Sequence, residues 1–384
     1  MKMRFSSLAI ALGGGALVLT LALTSLGCSG STPQSEAGTG RWERVEMPLP
    51  SGQRMSVYDD ARDIIWILTA PHTTNSDAIL TEFHPDTRKS VDYTIPGSTN
   101  WLGYGDAVAV DGEGRVWAAW GGRLVRFDPA TKDVKEWVVP KAEESLAEGS
   151  EEIGVAVDTA VDGAGRVWLA RAGLGEVFVL DVATGVWDTL PTAGVNTGPF
   201  SRLFVEESGN VLLNGLVSQS EWQLVEVNAM TREAVATPAH ALGYAVLPDG
   251  SVAYLDSDTG EAKLWDHSER QPVSLSPRFS PGEMERDVVA DLAGGVWLRQ
   301  NGHLRKDVVR VDTLSGEVSS FQYPLIITTA FTTIGVRHLT GTPVALDPDI
   351  KGMLVDKRGD AWLISGAEGS PEGYPALYRL DPNG

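Results

Sequence analysis

Cysteine, basic residues and long apolar runs are all scarce in this sequence. Its 384 residues contain one Cys, which excludes a disulfide framework and a cysteine-based zinc or iron–sulfur site within the chain. Lys and Arg number 31 against 51 Asp and Glu, giving a formal charge of −20, which argues against nucleic acid as a partner because that needs a basic face. Beyond residue 23 no segment reaches the roughly 18 apolar residues of a membrane-spanning helix. A hydrophobic fraction of 42% nevertheless indicates a folded body.

The N-terminal segment has the layout of a bacterial secretory signal peptide. A basic start is followed by an apolar run over residues 8–23 and then by the single cysteine, Cys28. This arrangement resembles the lipobox of bacterial lipoproteins, with Ser25 and Leu26 in the reverse of the usual order. The resemblance implies a protein lipid-anchored at Cys28 in the bacterial cell envelope, in the periplasm or on the outer surface. A cleaved signal without lipid and an uncleaved anchor are the alternatives.

The rest of the chain is a repeat of four short strands. The phrase VDGEGRVW ends at Trp117, and related phrases end at Trp66, Trp168, Trp297 and Trp362, with Leu212 and Ala253 in two degenerate copies. Most copies are about 41 to 51 residues apart and one spacing is about 65, which is typical of propeller blades. Each continues into a third strand and a turn, most often with an Asp or Asn that bonds its own backbone, and all but the last then add a fourth strand ending at proline. The repeat predicts an all-β fold.

The two ends of the repeat region complete each other. The last unit stops after LDPNG without a fourth strand, whereas residues 41–50 read as an isolated fourth strand. Such a seam removes the two unpaired edges of an open ring. We predict a seven-bladed β-propeller with four antiparallel strands per blade, closed by the N-terminal strand. It occupies residues 41–384 as a single domain, after a signal peptide over 1–27 and a flexible tether over 28–40.

The tryptophans of the repeat are predicted to be structural. A large flat ring at one repeated position of the second strand fills space between neighbouring blades. Trp101 and Trp120 lie near loops instead and are candidates for ligand contact. The long spacing reflects an insertion over residues 325–350. With the other connections from fourth to first strands, it is expected to form the rim of the binding face, since loops on a rigid scaffold often carry function.

The repeat resembles that of the virginiamycin B lyase (streptogramin lyase) family and of its NHL-type and gluconolactonase-type relatives. The resemblance covers residues 41–384 and implies the propeller fold. For the lyases it also implies elimination on a cyclic depsipeptide ester, with a divalent metal and a His general base at the ring axis. No blade has His eleven positions before the repeat position, where the lyases commonly carry it, so their catalytic residues do not carry over. His338, in the insertion, is a weak candidate for a base, and a solvated loop His is the alternative.

Charged residues cluster at one level of the innermost strands. Three carboxylates lie ten or eleven positions before a repeat tryptophan: Asp106, Asp158 and Asp287. They are expected near one mouth of the channel, and gluconolactonase-type propellers hold a metal at such positions. The three could bind Ca²⁺ or Mg²⁺ through oxygen. Three basic residues share the level: Arg202, Arg286 and Lys351. Neutralisation of the carboxylates by these bases is the alternative, and all six are candidate ligand contacts.

Two functions fit these observations. The first is a lipid-anchored, extracytoplasmic binding module that takes a small molecule or a protein on its loop-bearing face. Such a module is expected to be a monomer, to bind no nucleic acid and to touch the membrane only through its lipid anchor. The second is a metal-dependent lyase or lactonase acting on a cyclic ester at the channel mouth.

Overall fold

The computed structural model describes sixteen stretches of the chain: residues 40–47, 53–70, 77–96, 107–120, 122–140, 156–198, 201–206, 209–218, 221–266, 271–278, 284–301, 306–322, 326–329, 343–346, 350–365 and 376–383. Within these stretches the regular structure consists of thirty β-strands. No helix among the described residues is long and apolar enough to cross a bilayer. The prediction of an all-β chain is confirmed.

Seven four-stranded antiparallel sheets form the blades. The first strand in the chain is β1 (Arg41–Glu46), which belongs to blade seven. Blades one to three comprise β2 (Gln53–Asp59), β3 (Ile64–Ala70), β4 (Ala78–His84), β5 (Lys89–Ile95); β6 (Ala107–Val110), β7 (Val116–Trp120), β8 (Arg123–Phe127), β9 (Val134–Val138); β10 (Ala156–Val161), β11 (Val167–Arg171), β12 (Glu176–Asp181), β13 (Val186–Pro191).

The remaining blades follow the same order, from the innermost strand outwards. Blades four to six comprise β14 (Leu203–Val205), β15 (Asn210–Leu216), β16 (Trp222–Asn228), β17 (Ala234–Ala236); β18 (Ala241–Val246), β19 (Val252–Asp256), β20 (Glu261–Asp266), β21 (Gln271–Arg278); β22 (Met284–Ala290), β23 (Gly295–Asn301), β24 (Lys306–Asp312), β25 (Val318–Gln322). Blade seven contains β28 (Ile350–Val355), β29 (Ala361–Ser365), β30 (Ala376–Asp381) and β1.

The ring closes as the sequence predicts. β1 pairs antiparallel with β30, with Arg41 opposite Asp381 and Glu46 opposite Ala376. The first strand of the chain therefore completes the last blade, and β2 of blade one contacts β28 of blade seven. The seven-bladed propeller with its shared blade is confirmed. The insertion between β25 and β28 contains a two-stranded sheet formed by β26 (Ile326–Thr329) and β27 (Pro343–Leu346). The repeat pattern did not predict this sheet.

The core lies between the blades. The described residues contain seven apolar clusters, one for each junction of neighbouring blades. The five repeat tryptophans are 0–1% exposed. Trp117, for example, packs against Val167 and Leu169 of blade three, and Trp362 packs against Ile65 of blade one. Burial of a large indole at five of the seven junctions stabilises the packing of neighbouring blades, which confirms the structural interpretation of this position.

A repeated carboxylate orients four of these tryptophans. Asp111 accepts hydrogen bonds from the backbone N–H groups of Glu113 and Arg115, and its other oxygen accepts the indole N–H of Trp117 at 2.9 Å. The same bond joins Asp162 to Trp168, Asp291 to Trp297 and Asp356 to Trp362, each at 3.0 Å. Each turn has glycine at φ between 78° and 84°, where a side chain would be strained. We call the end of the ring that carries these turns the hairpin end.

Blade one departs from this pattern. Val57 stands opposite Trp66, whereas Ala109 stands opposite Trp117, so the turn of blade one is one residue longer. Asp59 occupies the place of the repeated carboxylate, but it bonds Arg62 instead. In the described part of the structure, the buried indole nitrogen of Trp66 has no hydrogen-bond partner.

Candidate functional site

A cavity of about 240 Å³ lies where the innermost strands surround the axis of the ring. Its polar lining consists of Ser56, Asp158, Arg202, Tyr244 and Asp287, and much of the remaining lining is aliphatic or aromatic. Asp158 and Met55, another lining residue, are both paired with the residue two positions after the repeat tryptophan. This level lies at the end of the inner strands remote from the hairpin turns. We call it the mouth end.

Asp158 joins two neighbouring blades. It is 9% exposed, and its two carboxylate oxygens accept the backbone N–H groups of Thr159 at 2.9 Å and Leu203 at 2.7 Å. Thr159 belongs to the same strand, whereas Leu203 begins the inner strand of blade four. The carboxylate therefore holds the inner strands of blades three and four together, while its side chain lines the cavity.

Asp287 lies between two arginines. Arg299 of β23 is 7% exposed, and its Nε and Nη2 contact one Asp287 oxygen at 2.8 and 2.7 Å. Arg299 Nη1 also donates to the carbonyl of Ile350 in blade seven at 3.1 Å. Across the cavity, Arg202 Nη2 lies 3.7 Å from the other Asp287 oxygen, and the Arg202 side chain is 40% exposed. The Arg299 contact is thus close and buried, and the Arg202 contact is long and open to solvent.

Hydrogen bonds with Asn214 and Tyr244 hold the backbone at Arg202 in place. The side-chain oxygen of Asn214 accepts the Arg202 N–H at 2.6 Å, and the Asn214 amide donates to the carbonyl of Leu242 at 2.9 Å. The Tyr244 hydroxyl donates to the carbonyls of Leu212 at 2.7 Å and Arg202 at 3.2 Å. Burial, and the nearby Asp158 carboxylate, raise the pKa of Tyr244 well above its usual value, so the phenol stays protonated and positions the backbone.

The structure brings together Asp158, Arg202 and Asp287 of the predicted site residues. The prediction for Trp120 is wrong, because this residue ends β7 and is 3% exposed in the apolar cluster between blades one and two. Four others lie outside the described residues: Cys28, Trp101, Asp106 and His338. Arg286 and Lys351 belong to β22 and β28, but their side chains lie outside the described part. The two described histidines, His84 and His240, are not among the cavity-lining residues.

Two residues at the site were missed from the sequence although a signal was present. Arg299 lies two positions after the repeat tryptophan, and Asn214 holds the same position in blade four. Blades two and three have Ala119 and Ala170 there. A charged or amide side chain at a position that is otherwise apolar and buried marks a polar contact that the fold must satisfy. Here both side chains support the charged residues of the cavity.

The described carboxylates do not form a cation site. No three His, Cys, Asp or Glu side chains among the described residues converge closely enough to hold a metal ion. Both oxygens of Asp158 accept N–H groups, and Asp287 is held by Arg299. Because Asp106 lies outside the described residues, the three-carboxylate Ca²⁺ or Mg²⁺ site stays a prediction.

No family model matches the chain, and no curated protein matches it in sequence. Solved structures resemble it in fold. A streptogramin B lyase has a TM-score of 0.61 at 13% identity, over 90% of this chain and 99% of the lyase. Virginiamycin B lyase from Staphylococcus aureus has a TM-score of 0.60 at 13% identity, over 88% and 99% of the two chains.

A third similar structure is the extracellular domain of a putative hybrid two-component system from B. thetaiotaomicron. Its TM-score is 0.56 at 14% identity, over 91% of this chain and 43% of that one. Identities this low establish the fold and leave the activity open. The chain therefore has the seven-bladed propeller fold of the virginiamycin B lyase-like structures.

Proposed function

We propose that the protein is a lipid-anchored, extracytoplasmic binding module whose axial cavity takes a small molecule bearing a carboxylate. The exposed guanidinium of Arg202 is the observation that carries this proposal. It faces a cavity in which the described carboxylates are already bonded to fixed donors. A ligand anion therefore meets an accessible cation, whereas a ligand cation meets carboxylates that are engaged by N–H groups.

The geometry at Arg202 favours exchange of its partner. The 3.7 Å separation from Asp287 exceeds the length of a charge-assisted hydrogen bond, which is about 2.7–2.9 Å. A ligand carboxylate can approach the guanidinium at that shorter distance with two parallel bonds. Asp287 keeps its buried partner Arg299 when this happens, so the exchange leaves no buried charge unpaired.

The size and lining of the cavity limit the ligand. At about 240 Å³ the cavity lies below the usual range for drug-sized ligands, about 300–1,000 Å³, so the ligand is small. Met55, Phe204 and Val288 provide apolar surface next to the charged groups. This lining suits the carbon skeleton of a compact carboxylate.

Calorimetric titration of the protein with succinate, gluconate and benzoate tests the proposal. Binding of at least one of these probes is expected, with affinity at least tenfold weaker in Arg202→Gln. Arg123→Gln is the matched control, because Arg123 is 41% exposed and pairs with Glu136 on β9. Failure of all three probes to bind, or equal losses in the two variants, would contradict the proposal.

The envelope location is supported by the signal-like N-terminus and is tested separately. The Cys28→Ser variant is expected to move from the membrane fraction to the soluble fraction. If this variant stays with the membrane, the uncleaved anchor is favoured instead.

A lyase or lactonase is the second candidate, because the streptogramin B lyase fold covers 90% of this chain. Incubation with a cyclic depsipeptide, with and without Mg²⁺, separates the two functions. Elimination opens the ring at constant mass and changes chromatographic retention, whereas lactone hydrolysis adds one water. Turnover that is abolished by Asp106→Asn would favour the enzyme hypothesis. A substrate that stays unchanged on incubation with the protein would contradict it.

A further inference from the structure

The chain enters the propeller at the hairpin end of blade seven. Arg41 pairs with Asp381 at the start of β1, and the neighbouring Leu380 pairs with Ala361. Ala361 directly follows the turn that contains Asp356. Residue 40 is therefore at the end of the ring opposite the cavity mouth, where Asp158 and Arg202 lie.

The entering chain also lies against blade six. A Cβ atom placed on Gly40 would be 2.7 Å from a ring carbon of Phe321, which belongs to β25. The backbone at Gly40 thus packs directly on the outer strand of blade six.

Blade six has two apolar turn tips at the hairpin end. Leu292 is 63% exposed in the turn between β22 and β23, and Leu314 is 92% exposed in the turn between β24 and β25. The Thr313 hydroxyl donates to the carbonyl of Gly294 at 2.6 Å, which holds the two turns together. We call Leu292 and Leu314 the blade-six tips.

Two of the three acidic residues of these turns are bonded within the turns, whereas the third, Glu317, is exposed just before β25. Asp291 is buried, and it accepts the Trp297 indole N–H and the Arg310 side chain. Asp312 accepts the backbone N–H groups of Leu314 and Ser315 within its own turn. Leu292 and Leu314 are thus the exposed large apolar side chains of the two turns, and Glu317 lies near them. In blade two the corresponding turns present charged Glu113, which is 72% exposed, and Lys132.

We propose that the blade-six tips rest on the lipid bilayer to which Cys28 is attached, so that the cavity mouth faces away from the membrane. The proposal rests on the lipid anchor of the proposed function. Twelve residues, 28–39, separate the anchor from Gly40, and a flexible linker of that length has a mean span of about 20 Å, which would hold the hairpin end near the surface. Single exposed leucines are common on soluble proteins, but these two lie in the blade against which the tether begins. The apolar tips give the membrane a second contact, which adds buried apolar area to the attachment through the lipid anchor.

Site-specific labelling of the full chain tests the orientation. Cys28 is the only cysteine, so once it is lipidated an introduced cysteine is the only reactive thiol. Leu314→Cys labels a blade-six tip. Val217→Cys, which is 45% exposed after β15, labels the mouth end, and Val138→Cys, 71% exposed, labels the outer rim. In vesicles of brominated phospholipid, a fluorophore at 314 is expected to be quenched several-fold more than one at 217 or 138.

Equal quenching at 314 and 217, or stronger quenching at 217, would overturn the orientation. A second measurement separates the effect of the two leucines from that of the tether. It places the fluorophore at Ala293→Cys, in the same turn as Leu292. Quenching there is expected to fall when both tips are changed to Ser and to persist with Val138→Ser. Quenching that survives loss of the tips would overturn the contact.

Failure of the anchor has a different signature. If Cys28 of the unmodified chain reacts with the thiol reagent and the protein is recovered in the soluble fraction, the lipid anchor is wrong and the membrane contact falls with it. Titration with carboxylates still tests the cavity in that case, because it does not depend on the anchor.

Discussion

The two ends of the ring use charge in opposite ways. At the hairpin end a carboxylate bonds its own turn and a tryptophan six residues later, and the arrangement recurs in four blades. At the mouth end, Asp158 bonds the next blade, while Asp287 faces Arg202 across the cavity from blade six to blade four. These mouth contacts join residues 45 or more positions apart, and among the residues that the structure describes neither is repeated in another blade.

The difference separates structure from function. A contact that is repeated in several blades has a structural role that those blades share. Here it orients the tryptophan indole that packs against the next blade. The contact between Arg202 and Asp287 joins two blades, is open to solvent and is not part of the repeat. We therefore expect it to have a role in binding and not in folding. Removal of hairpin-end groups should therefore affect stability, and removal of Arg202 should affect binding.

The largest expected effect is at a repeated carboxylate. Asp162→Ala removes the acceptor for two backbone N–H groups and for the buried Trp168 indole. The free energy of unfolding should fall by about 3 kcal/mol, since each unsatisfied buried donor costs about 1–3 kcal/mol. Urea denaturation measures this loss. Asp249→Ala, at the exposed turn of blade five, is the control. An equal loss of unfolding free energy in this control would contradict a special structural role for the repeated carboxylate.

The second effect compares two tryptophans. Trp168→Phe leaves an oxygen of Asp162 without its indole donor, whereas Trp66 has no such bond within the described structure. Both rings are almost fully buried. The Trp168 substitution should therefore cost about 1–2 kcal/mol more than Trp66→Phe in urea denaturation. Equal costs would show that the indole bond contributes nothing to stability.

A smaller effect concerns pH. Burial raises the pKa of Asp111, but the Trp117 indole and Arg115 outweigh it, and the pKa lies below its usual value. Burial and the Asp360 carboxylate raise the pKa of Asp356 above its usual value. Ionised Asp111 thus stabilises the fold above the unfolded pKa of about 4, and this contribution is lost as pH falls through its folded pKa.

Asp356 has the opposite sign, because its contribution is present at low pH and is lost as pH rises through its raised folded pKa. At pH 7, Asp111→Asn should therefore cost more stability than Asp356→Asn. The gap should narrow as pH falls below about 4. Urea denaturation of both variants between acid and neutral pH checks this. A gap that widens in acid would contradict the assigned directions.

The smallest expected effect on stability is at the mouth. Arg202 is 40% exposed and its contact with Asp287 is long, so Arg202→Gln should change the free energy of unfolding by less than about 1 kcal/mol. The same variant should lose carboxylate binding. A large loss of stability would mean that Arg202 belongs with the hairpin-end groups.

Much of the fold could be predicted because its signals are local and repeated. Tryptophan at one position marked the second strand of five blades, and the incomplete last unit indicated the seam with residues 41–50. The longer turn of blade one was harder to find, since the spacing from Asp60 to Trp66 imitates the repeat. Only the pairing of Val57 with Trp66 shows that Asp59 holds the carboxylate position.

The site was only partly predictable. Spacing placed Asp158, Arg202 and Asp287 at one level, and they do line one cavity. Their partners depend on distances across the ring, which spacing does not contain. Arg299 was overlooked because it lies on a second strand, yet it makes the close contact with Asp287.

The sequence by itself determined the blade count, the closing strand and the layers of each blade, because hydrophobic alternation and turn chemistry act between near neighbours in the chain. Only the tertiary structure decided which charges meet at the axis, which cation faces the cavity and which apolar tips lie beside the entering chain. These depend on closure of the ring, which brings residues from different blades within a few ångströms, where charge and burial take effect.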